Sequence, residues 1–408
     1  MKITFLLTQS LESPSGLGRY WPIAFELTQL GHQVTILALH HNLRELERRR
    51  FSREGVDVWY VGQMHVRKFD NKKEYFTPIY LLWVVFLSTL GLLWAALQVP
   101  TDAYHLGKPH PMNGIAGLVA HWIRRKPLYL DCDDYEAGSN RFSKPWQRCV
   151  VAFFEDRLPC FMKSISVNTR FMEERLSELG ISEHLIFYVP NGVDRERFET
   201  LTESNVAASH LRQNLGLDSY PVVLYAGSLS LVNHAVDLLL KSFELVVQRL
   251  PEAMLVLVGG GEDIVKLQRI SQDLGIEKHV EFVGRVPPNA VSIYYQIADV
   301  SVDPVRDEPA YQARSPLKLF ESWAMEVPFV TGDVGDRREL LGNPPAGEIA
   351  EDDSPEALAE AIINVLRSEE LARVCRLLGK ERVQRAYWDE RVFLFERIYE
   401  SCFTRGRS

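Results

Sequence analysis

"PVVLYAGSLSLVNHAVDLLLKSFELVVQRLPEAMLVLVGGGED", Pro221 to Asp263, holds an apolar run ending at a glycine, a stretch of helical periodicity, and a second apolar run ending in three glycines. Strands that are apolar throughout belong to a parallel sheet covered on both faces, and the helix between them is the crossover such a sheet needs. The alternation continues through "HVEFVGRV", a helix near Tyr294, "ADVSVDP", a helix after Ser315, "PFVTGD" and "GEIAED". The expectation is a doubly wound α/β domain. Ligands of such sheets gather at the carboxyl ends of the strands, which here carry Gly227, Gly259, Gly260, Gly261, Gly284 with Arg285, and Asp303.

The same rhythm runs through the first half, in "KITFLL", "QVTILAL", "VDVWYV", "DAYHL", "PLYLDC" and "SISVN". Two Rossmann-like domains facing across a cleft therefore account for 408 residues. Expected boundaries are 1–190, a linker over 191–218 that begins at the turn in "FYVPNGVDRERF", 219–388, and a closing segment 389–408. With 46% hydrophobic and 25% charged residues the chain reads as globular, and a net charge of −8 argues against a nucleic-acid partner while leaving room for a local phosphate site. Cys132, Cys149, Cys160, Cys375 and Cys402 show no metal or disulfide spacing and read as reduced, small buried residues. The opening "MKITFLLTQS" lacks a cleavage-site pattern and reads as a first strand in a cytoplasmic protein.

From Ile79 to Val99 the chain carries no charge over a length that could cross a bilayer. Strands of one sheet lie before and after it, so a spanning helix would split the sheet. Two readings remain: a helix packed on the sheet, or one whose outer face also dips into a membrane surface. The lead-in "HVRKFDNKKE", with Arg67, Lys68, Lys72 and Lys73, suits anionic headgroups and equally suits a solvated loop.

"ARSPLKLFE", Ala313 to Glu321, opens a helix with Ser315 as cap and Pro316 at the first helical position. The N–H groups of Leu317 and Lys318 then lack intrahelical acceptors, with the positive end of the helix dipole behind them. Lys318 and Arg314 add charge, so the turn outlines a phosphate site. Glu321 follows on nearly the same face, where its carboxylate could accept from a ribose diol; a plain surface Lys–Glu pair has the same spacing. In the first half, Gly16 and Gly18 of "SPSGLGRYW" suggest a tight loop before a helix, open to an anion or a sugar or to no ligand at all.

Taken in order, "SGLGRYWPIAFELTQLGHQVTIL", "VPNGVDRERF", "VVLYAGSL", "LVLVGGGED", "VEFVGRV", "SPLKLFESWAMEVPFVTGDVGDRREL" and "AGEIAEDDSPEALAEAI" resemble the retaining glycosyltransferases of GT-B architecture, specifically the large family four. The resemblance implies that Glu321 binds the ribose of a nucleotide-diphosphate sugar and Lys318 neutralises its diphosphate, beside the helix start at Pro316 and Leu317. It implies that Gly284, Arg285 and Val286 flank the base, that Gly16 and Gly18 face the phosphates or donor sugar, and that "YWDERVFLFERIYE" crosses back onto the first domain.

Several positions depart from the family pattern. Ala313 stands where a glutamate is common, Ser228 where an arginine is usual, Asn233 or His234 where a lysine is usual, and Gly107 where a histidine is common, with His105, Lys108 and His110 as neighbours. One account is an active branch in which Arg314, Lys318, Lys108 and His234 supply the cations, with His110 beside the reacting centre. The other is a relative that binds without turnover. The alternative for His105 or His110 is a ring that satisfies a buried backbone carbonyl. "DCDDY", with Asp131, Asp133 and Asp134, could bind a metal, shape an acceptor pocket or be a polar loop.

The resemblance implies retention; the expectation is no catalytic metal and no cofactor, with the nucleotide-diphosphate sugar as donor substrate. The Ile79 to Val99 helix and its basic lead-in suggest a glycan or lipid-linked acceptor with peripheral contact at the inner membrane face, a soluble acceptor being the alternative, and domain closure suggests hinge motion near Asn191 and before the final helix. A sugar-nucleotide epimerase or hydrolase of the same architecture, or a nucleotide-sugar-binding scaffold, are the alternatives.

Overall fold

The structure, a computed structural model, describes residues 1–69, 72–198, 201–232 and 234–404. The chain divides into two compact units, Met1–Asn191 together with the chain from Trp388 onward, and Gly192–Tyr387. The stretch 191–218, expected as a linker, thus belongs after Asn191 to the second unit and contains the helix Leu201–Asn214.

The first unit contains β1 (Lys2–Leu7), β2 (Gln33–His40), β3 (Arg50–Arg53) and β4 (Val56–Gln63), then β5 (Val66–Phe69) and β6 (Lys72–Tyr75), then β7 (Ala103–Gly107), β8 (Leu128–Cys132), β9 (Ser164–Val167) and β10 (Ile186–Tyr188). Eight of these form one sheet in the order β10-β9-β8-β7-β1-β2-β4-β3. It is parallel except for β3, which runs antiparallel to β4 at the edge. The expected wholly parallel sheet is corrected there: "RFSR" is polar and largely exposed, so no apolar run announced it. The basic lead-in is a separate antiparallel hairpin, β5 with β6, rather than a loop; Asp70 and Asn71 and the Lys72 side chain lie outside what is described.

The apolar run forms the helix Pro78–Gln98. Because β7 pairs directly with β1, the strands before and after this helix share one sheet, and the helix is the crossover between them. Val84, Leu92, Ala95 and Ala96 are buried beneath it, and a Cβ at Gly91 would collide with the Val61 carbonyl, so the helix lies close on β4. On the sheet's other side, Phe5, Tyr129 and Val58 pack with Trp388, Val392, Phe395 and Tyr399 of the final helix, Trp388–Thr404. Trp388 Nε1 donates to the Gly18 carbonyl at 3.0 Å, so this helix belongs to the first unit.

In the second unit, β11 (Val222–Ala226), β12 (Met254–Val258), β13 (Val280–Gly284), β14 (Val300–Asp303), β15 (Phe329–Gly332) and β16 (Glu348–Ala350) form a parallel sheet in the order β13-β12-β11-β14-β15-β16. The wholly apolar strands feed two cores. Val223, Tyr225, Leu255 and Leu257 face the helix Val236–Arg249, whose Val236, Leu239, Leu240, Phe243 and Val246 recur at helical spacing. Val222, Leu224, Val256 and Val258 face the opposite way, against Leu319, Phe320 and Trp323. Burying such a side chain contributes roughly 1.5–3 kcal/mol, and the strand pattern places that gain on both faces.

Of the cysteines, Cys132 and Cys375 are buried, but Cys149 and Cys160 are exposed, against the expectation of burial; all four are free thiols. The Cys402 side chain lies outside the described residues.

Candidate functional site

Parallel strands bring their carboxyl ends to one edge of the sheet, and in the second unit that edge centres on Asp303, the last residue of β14. Its carboxylate is fully buried and takes three cations: Lys318 Nζ at 3.0 Å and Arg314 at 3.1 Å on Oδ1, and Arg337 at 2.8 Å on Oδ2. Burial alone would raise its pKa, yet Lys318, Arg314 and Arg337 together hold it well below the usual carboxylate range. Three cations on one carboxylate leave positive charge in excess here.

Lys318 lies in the first turn of the helix Leu317–Ala324. Pro316, not Ser315, is the cap, and no side chain closes the turn; Ser315 is buried ahead of it. The shift follows from the extended Pro316 backbone, φ −77° and ψ 102°. The dipole end and the cation still coincide as expected. Desolvation pulls the Lys318 ammonium below its ordinary pKa, against the pull of Asp303 and with repulsion from Arg314. One turn on, Glu321 Oε2 accepts from the Tyr295 hydroxyl at 2.9 Å.

Gly227 directly follows β11 beside this group. A Cβ there would lie 2.8 Å from Lys318 Cε, so glycine lets the lysine reach Asp303. Backbone bonds tie the neighbouring turns together: Gly227 N–H to Val258 O, Leu229 N–H to Gly260 O and Gly259 N–H to Gly284 O. Gly260 is buried, and the Ser228 carbonyl is taken by Tyr225 Oη at 2.8 Å. Arg285 is exposed beyond β13, and Val286 packs partly into the core. His234 does not serve as a cation. Burial, with Arg314 and Lys318 nearby, drives its pKa well down, and its Nδ1 lies 2.7 Å from Arg314 Nη1, where a neutral imidazole accepts. Asn233 lies outside the described residues. Ala313 is fully buried.

At the corresponding edge of the first unit the charges reverse. Lys108 follows β7 with φ +68° and is held by Glu136 at 2.5 Å, Asp134 at 2.8 Å and Asp133 at 3.1 Å. Burial would lower its pKa, but the three carboxylates raise it well above the ordinary value. The expectation that Lys108 lends a cation to a leaving group is corrected, because its charge is already shared among three acids. His110 Nε2 lies 3.0 Å from Glu136 Oε2, within the same cluster. Asp133, desolvated and next to Asp134 and Asp131, is pushed up to about 7 despite Lys108. The ammonium sits where a divalent cation would have to, so Asp133, Asp134 and Glu136 hold a lysine rather than a metal.

Asp131 is not available to an acceptor or a metal. It forms a two-point pair with Arg19, at 2.6 and 2.7 Å, and also accepts from Ser166. Arg19 reaches on to the Val189 carbonyl and Asn191, fixing the end of the unit. Gly16 and Gly18 lie inside the opening turns of a helix rather than in a loop; the loop proper is Ser10–Ser13, against which Gly16 packs. His105 satisfies no carbonyl: its Nδ1 lies 2.6 Å from Tyr399 Oη, and burial lowers its pKa to about 3. A side chain at Gly107 would run into Tyr20 and Leu7. Glu12, His40 and His41 converge at β2, but Asn42 N–H donates to His40 Nδ1 at 3.0 Å. The proton then sits on Nε2, facing Glu12, which suits an imidazole–carboxylate contact and not a metal ligand.

Sequence reading missed Arg337, Tyr295, Arg19 and Glu136. Arg337 had a weak signal, the first of two basic residues shortly after a strand end in "GDVGDRREL"; Tyr295, 26 residues from Glu321, had none.

Two unlike units of the same doubly wound kind, one carrying a cation-rich strand end, define a two-domain nucleotide-binding architecture, the GT-B class. Sequence comparison gives the same class: the "Glycosyl transferase 4-like domain" profile matches residues 15–192 and the "Glycosyl transferases group 1" profile matches 208–382. The chain belongs to this glycosyltransferase family. It is 26% identical over 214 residues to a GDP-mannose-dependent alpha-(1-6)-phosphatidylinositol monomannoside mannosyltransferase of Mycolicibacterium smegmatis, covering 52% of this chain and 55% of that one. The chain spans about half the length of the first curated relatives it matches. In fold it is similar to sucrose-phosphate synthase from Thermosynechococcus elongatus, with TM-score 0.76, 17% identity and coverage of 99% and 100% of the two chains. It is likewise similar to Anabaena HepE in complex with UDP and glucose, with TM-score 0.71, 20% identity and both chains fully covered.

Proposed function

We propose that this protein transfers a sugar from a nucleotide-diphosphate sugar to a hydroxyl acceptor with retention of anomeric configuration. The observation that carries the reading is the excess of positive charge around Asp303 at the start of the Leu317–Ala324 helix, with Glu321 one turn further on. Breaking the bond between the anomeric carbon and phosphate oxygen leaves charge on the diphosphate. Fixed cations and N–H dipoles stabilise that charge without reorganising. Lys318, Arg314 and the Leu317 and Lys318 N–H groups take the diphosphate; Glu321, oriented by Tyr295, takes the ribose diol. The acceptor oxygen bonds to the anomeric carbon on the face the phosphate leaves, and its proton passes to the departing phosphate oxygen. No protein nucleophile is required, and these side chains supply the charge neutralisation, so we assign no catalytic metal.

The acceptor is a glycan or lipid-linked hydroxyl used in cell-envelope or extracellular glycan synthesis, with the enzyme at the cytoplasmic side. The support for a lipid-linked acceptor is that several curated relatives are named as phosphatidylinositol monomannoside or phosphatidyl-myo-inositol mannosyltransferases. Nucleotide release from UDP-, GDP- and ADP-sugars, measured with and without lipid extract, tests the reading. Release by wild type that Lys318→Ala and Glu321→Ala abolish supports it. Binding without release under any acceptor condition would make the chain a nucleotide-sugar-binding relative.

A further inference from the structure

His234 has no part in the chemistry described above, yet the geometry around it fixes its protonation. Arginine carries only donors, so the 2.7 Å contact between Arg314 Nη1 and His234 Nδ1 makes Nδ1 the acceptor. A ring that accepts at Nδ1 is neutral and carries its proton on Nε2. The surroundings agree: burial, then Arg314, Lys318 and Arg337, disfavour another cation, while Asp303, the carboxylate that would favour one, is already shared by all three. The Nε2–H leaves the ring on the side away from Nδ1. His234 is half-buried, and its Nε2 has no hydrogen-bond partner among the described residues.

The loop that presents His234 is pinned in place. Leu231 N–H donates to Asp263 Oδ2 at 2.8 Å, Asp263 N–H donates to the Leu229 carbonyl at 3.2 Å, and a Cβ at Gly261 would lie 2.3 Å from the Leu229 backbone. The loop therefore rests on the turn after β12 and ends at the start of the helix Val236–Arg249. From Gly227 to Ala235 it reads "GSLSLVNHA", without a charged residue. What it can offer a diphosphate is hydrogen-bond donors rather than charge. Its first residue abuts Lys318, since a Cβ at Gly227 would lie 3.2 Å from Lys318 Nζ, and near its end His234 meets Arg314. The loop thus runs along the two cations assigned to the diphosphate.

We propose that His234 is an uncharged catalytic residue whose Nε2–H donates to a diphosphate oxygen of the donor, where charge accumulates as the bond to the anomeric carbon breaks. This role rests on the transfer reading. The electron pair of the broken bond goes to the phosphate oxygen, and the proton which that oxygen then takes is the acceptor hydroxyl's. His234 keeps its own proton throughout. A cation attracts diphosphate before and after the bond breaks, whereas a fixed neutral donor gains most where charge grows. His234 therefore acts on turnover more than on nucleotide affinity.

Two amides separate this role from a mere prop for Arg314. Asparagine places its carboxamide where Nδ1 stands and can still accept from Arg314, but it does not reach as far as Nε2; glutamine carries an N–H out to that position. Nucleotide release by the full chain is measured with whichever UDP-, GDP- or ADP-sugar wild type turns over. His234→Asn is expected to lower kcat by about 100-fold, as the loss of one oxyanion donor does, with KM nearly unchanged. His234→Gln retains most of the activity, and wild-type kcat does not rise as pH falls through the ordinary imidazole range. Unchanged melting temperatures check that both variants fold. The reverse ranking, Asn active and Gln not, overturns the proposal. So does a rise at acid pH that His234→Gln removes, because the ring would then work as a cation. A second readout needs no turnover: in the 15N-histidine-labelled full chain, the Nε2–H resonance that His234→Gln deletes is expected to move when inorganic pyrophosphate is added. Pyrophosphate bound by calorimetry without that movement overturns the proposal and leaves the transfer reading standing. The movement without nucleotide release from any donor keeps the hydrogen bond and sinks the transfer reading alone.

Discussion

The two units carry near mirror-image charge clusters at equivalent strand ends. In the second, one carboxylate, Asp303, is surrounded by Lys318, Arg314 and Arg337; in the first, one ammonium, Lys108, is surrounded by Asp133, Asp134 and Glu136. The same sheet architecture thus builds an edge short of negative charge and an edge short of positive charge. The first suits a diphosphate and the second repels one, so strand ends placed alike by the fold differ in which charge they accept. Removing the central residue of either cluster should break the comparison most sharply.

Lys108→Met strands three acids, two of them buried, and is expected to cost about 3–5 kcal/mol in denaturant unfolding. The sign with pH follows: without the cation the carboxylate pKa values rise above their unfolded values, so stability is present at acid pH and lost as pH rises through them. Asp133, already at about 7, leads that change. A variant least stable at acid pH would contradict the cluster.

Asp303→Asn strands cations instead, at a cost of similar size, about 3 kcal/mol or more. Its rescue should be the opposite one, by inorganic pyrophosphate, read as a larger thermal shift than wild type shows. Acid alone should not restore it, because the wild-type contribution of Asp303 is present above its unfolded pKa and lost as pH falls.

A smaller effect separates binding from folding. Tyr295→Phe removes the bond to Glu321 and should cost about 1 kcal/mol of nucleotide affinity, several-fold in Kd by calorimetry, with little loss of stability. The smallest change is one of pH alone: only the protonated Lys318 attracts diphosphate strongly, so nucleotide affinity should fall at alkaline pH below the ordinary lysine range, tracking its lowered pKa.

Much of the architecture was legible in the sequence because apolar runs such as "VVLYA" and "MLVLV" must be covered on both faces. What stayed hidden was polar and at the margins. β3 and the β5–β6 hairpin have no apolar run, and the linker read at 191–218 contains a helix. At the site, Lys318, Arg314 and Glu321 stood out because charge clusters near a helix start. The pairings did not: Arg337 and Asp303 are 34 residues apart, and Arg19 and Asp131 are 112 apart. A lysine's spacing does not reveal whether its charge is free, as Lys108 shows. That depends on which strand ends the sheet order brings together.

Calorimetric titration of UDP and GDP into wild type and Lys318→Ala tests the central claim most directly. The account predicts that one nucleotide binds wild type and that the substitution weakens it by about tenfold or more, the loss of a charged contact to phosphate. Equal affinity for the two proteins would mean that the cation cluster around Asp303 only holds the fold together.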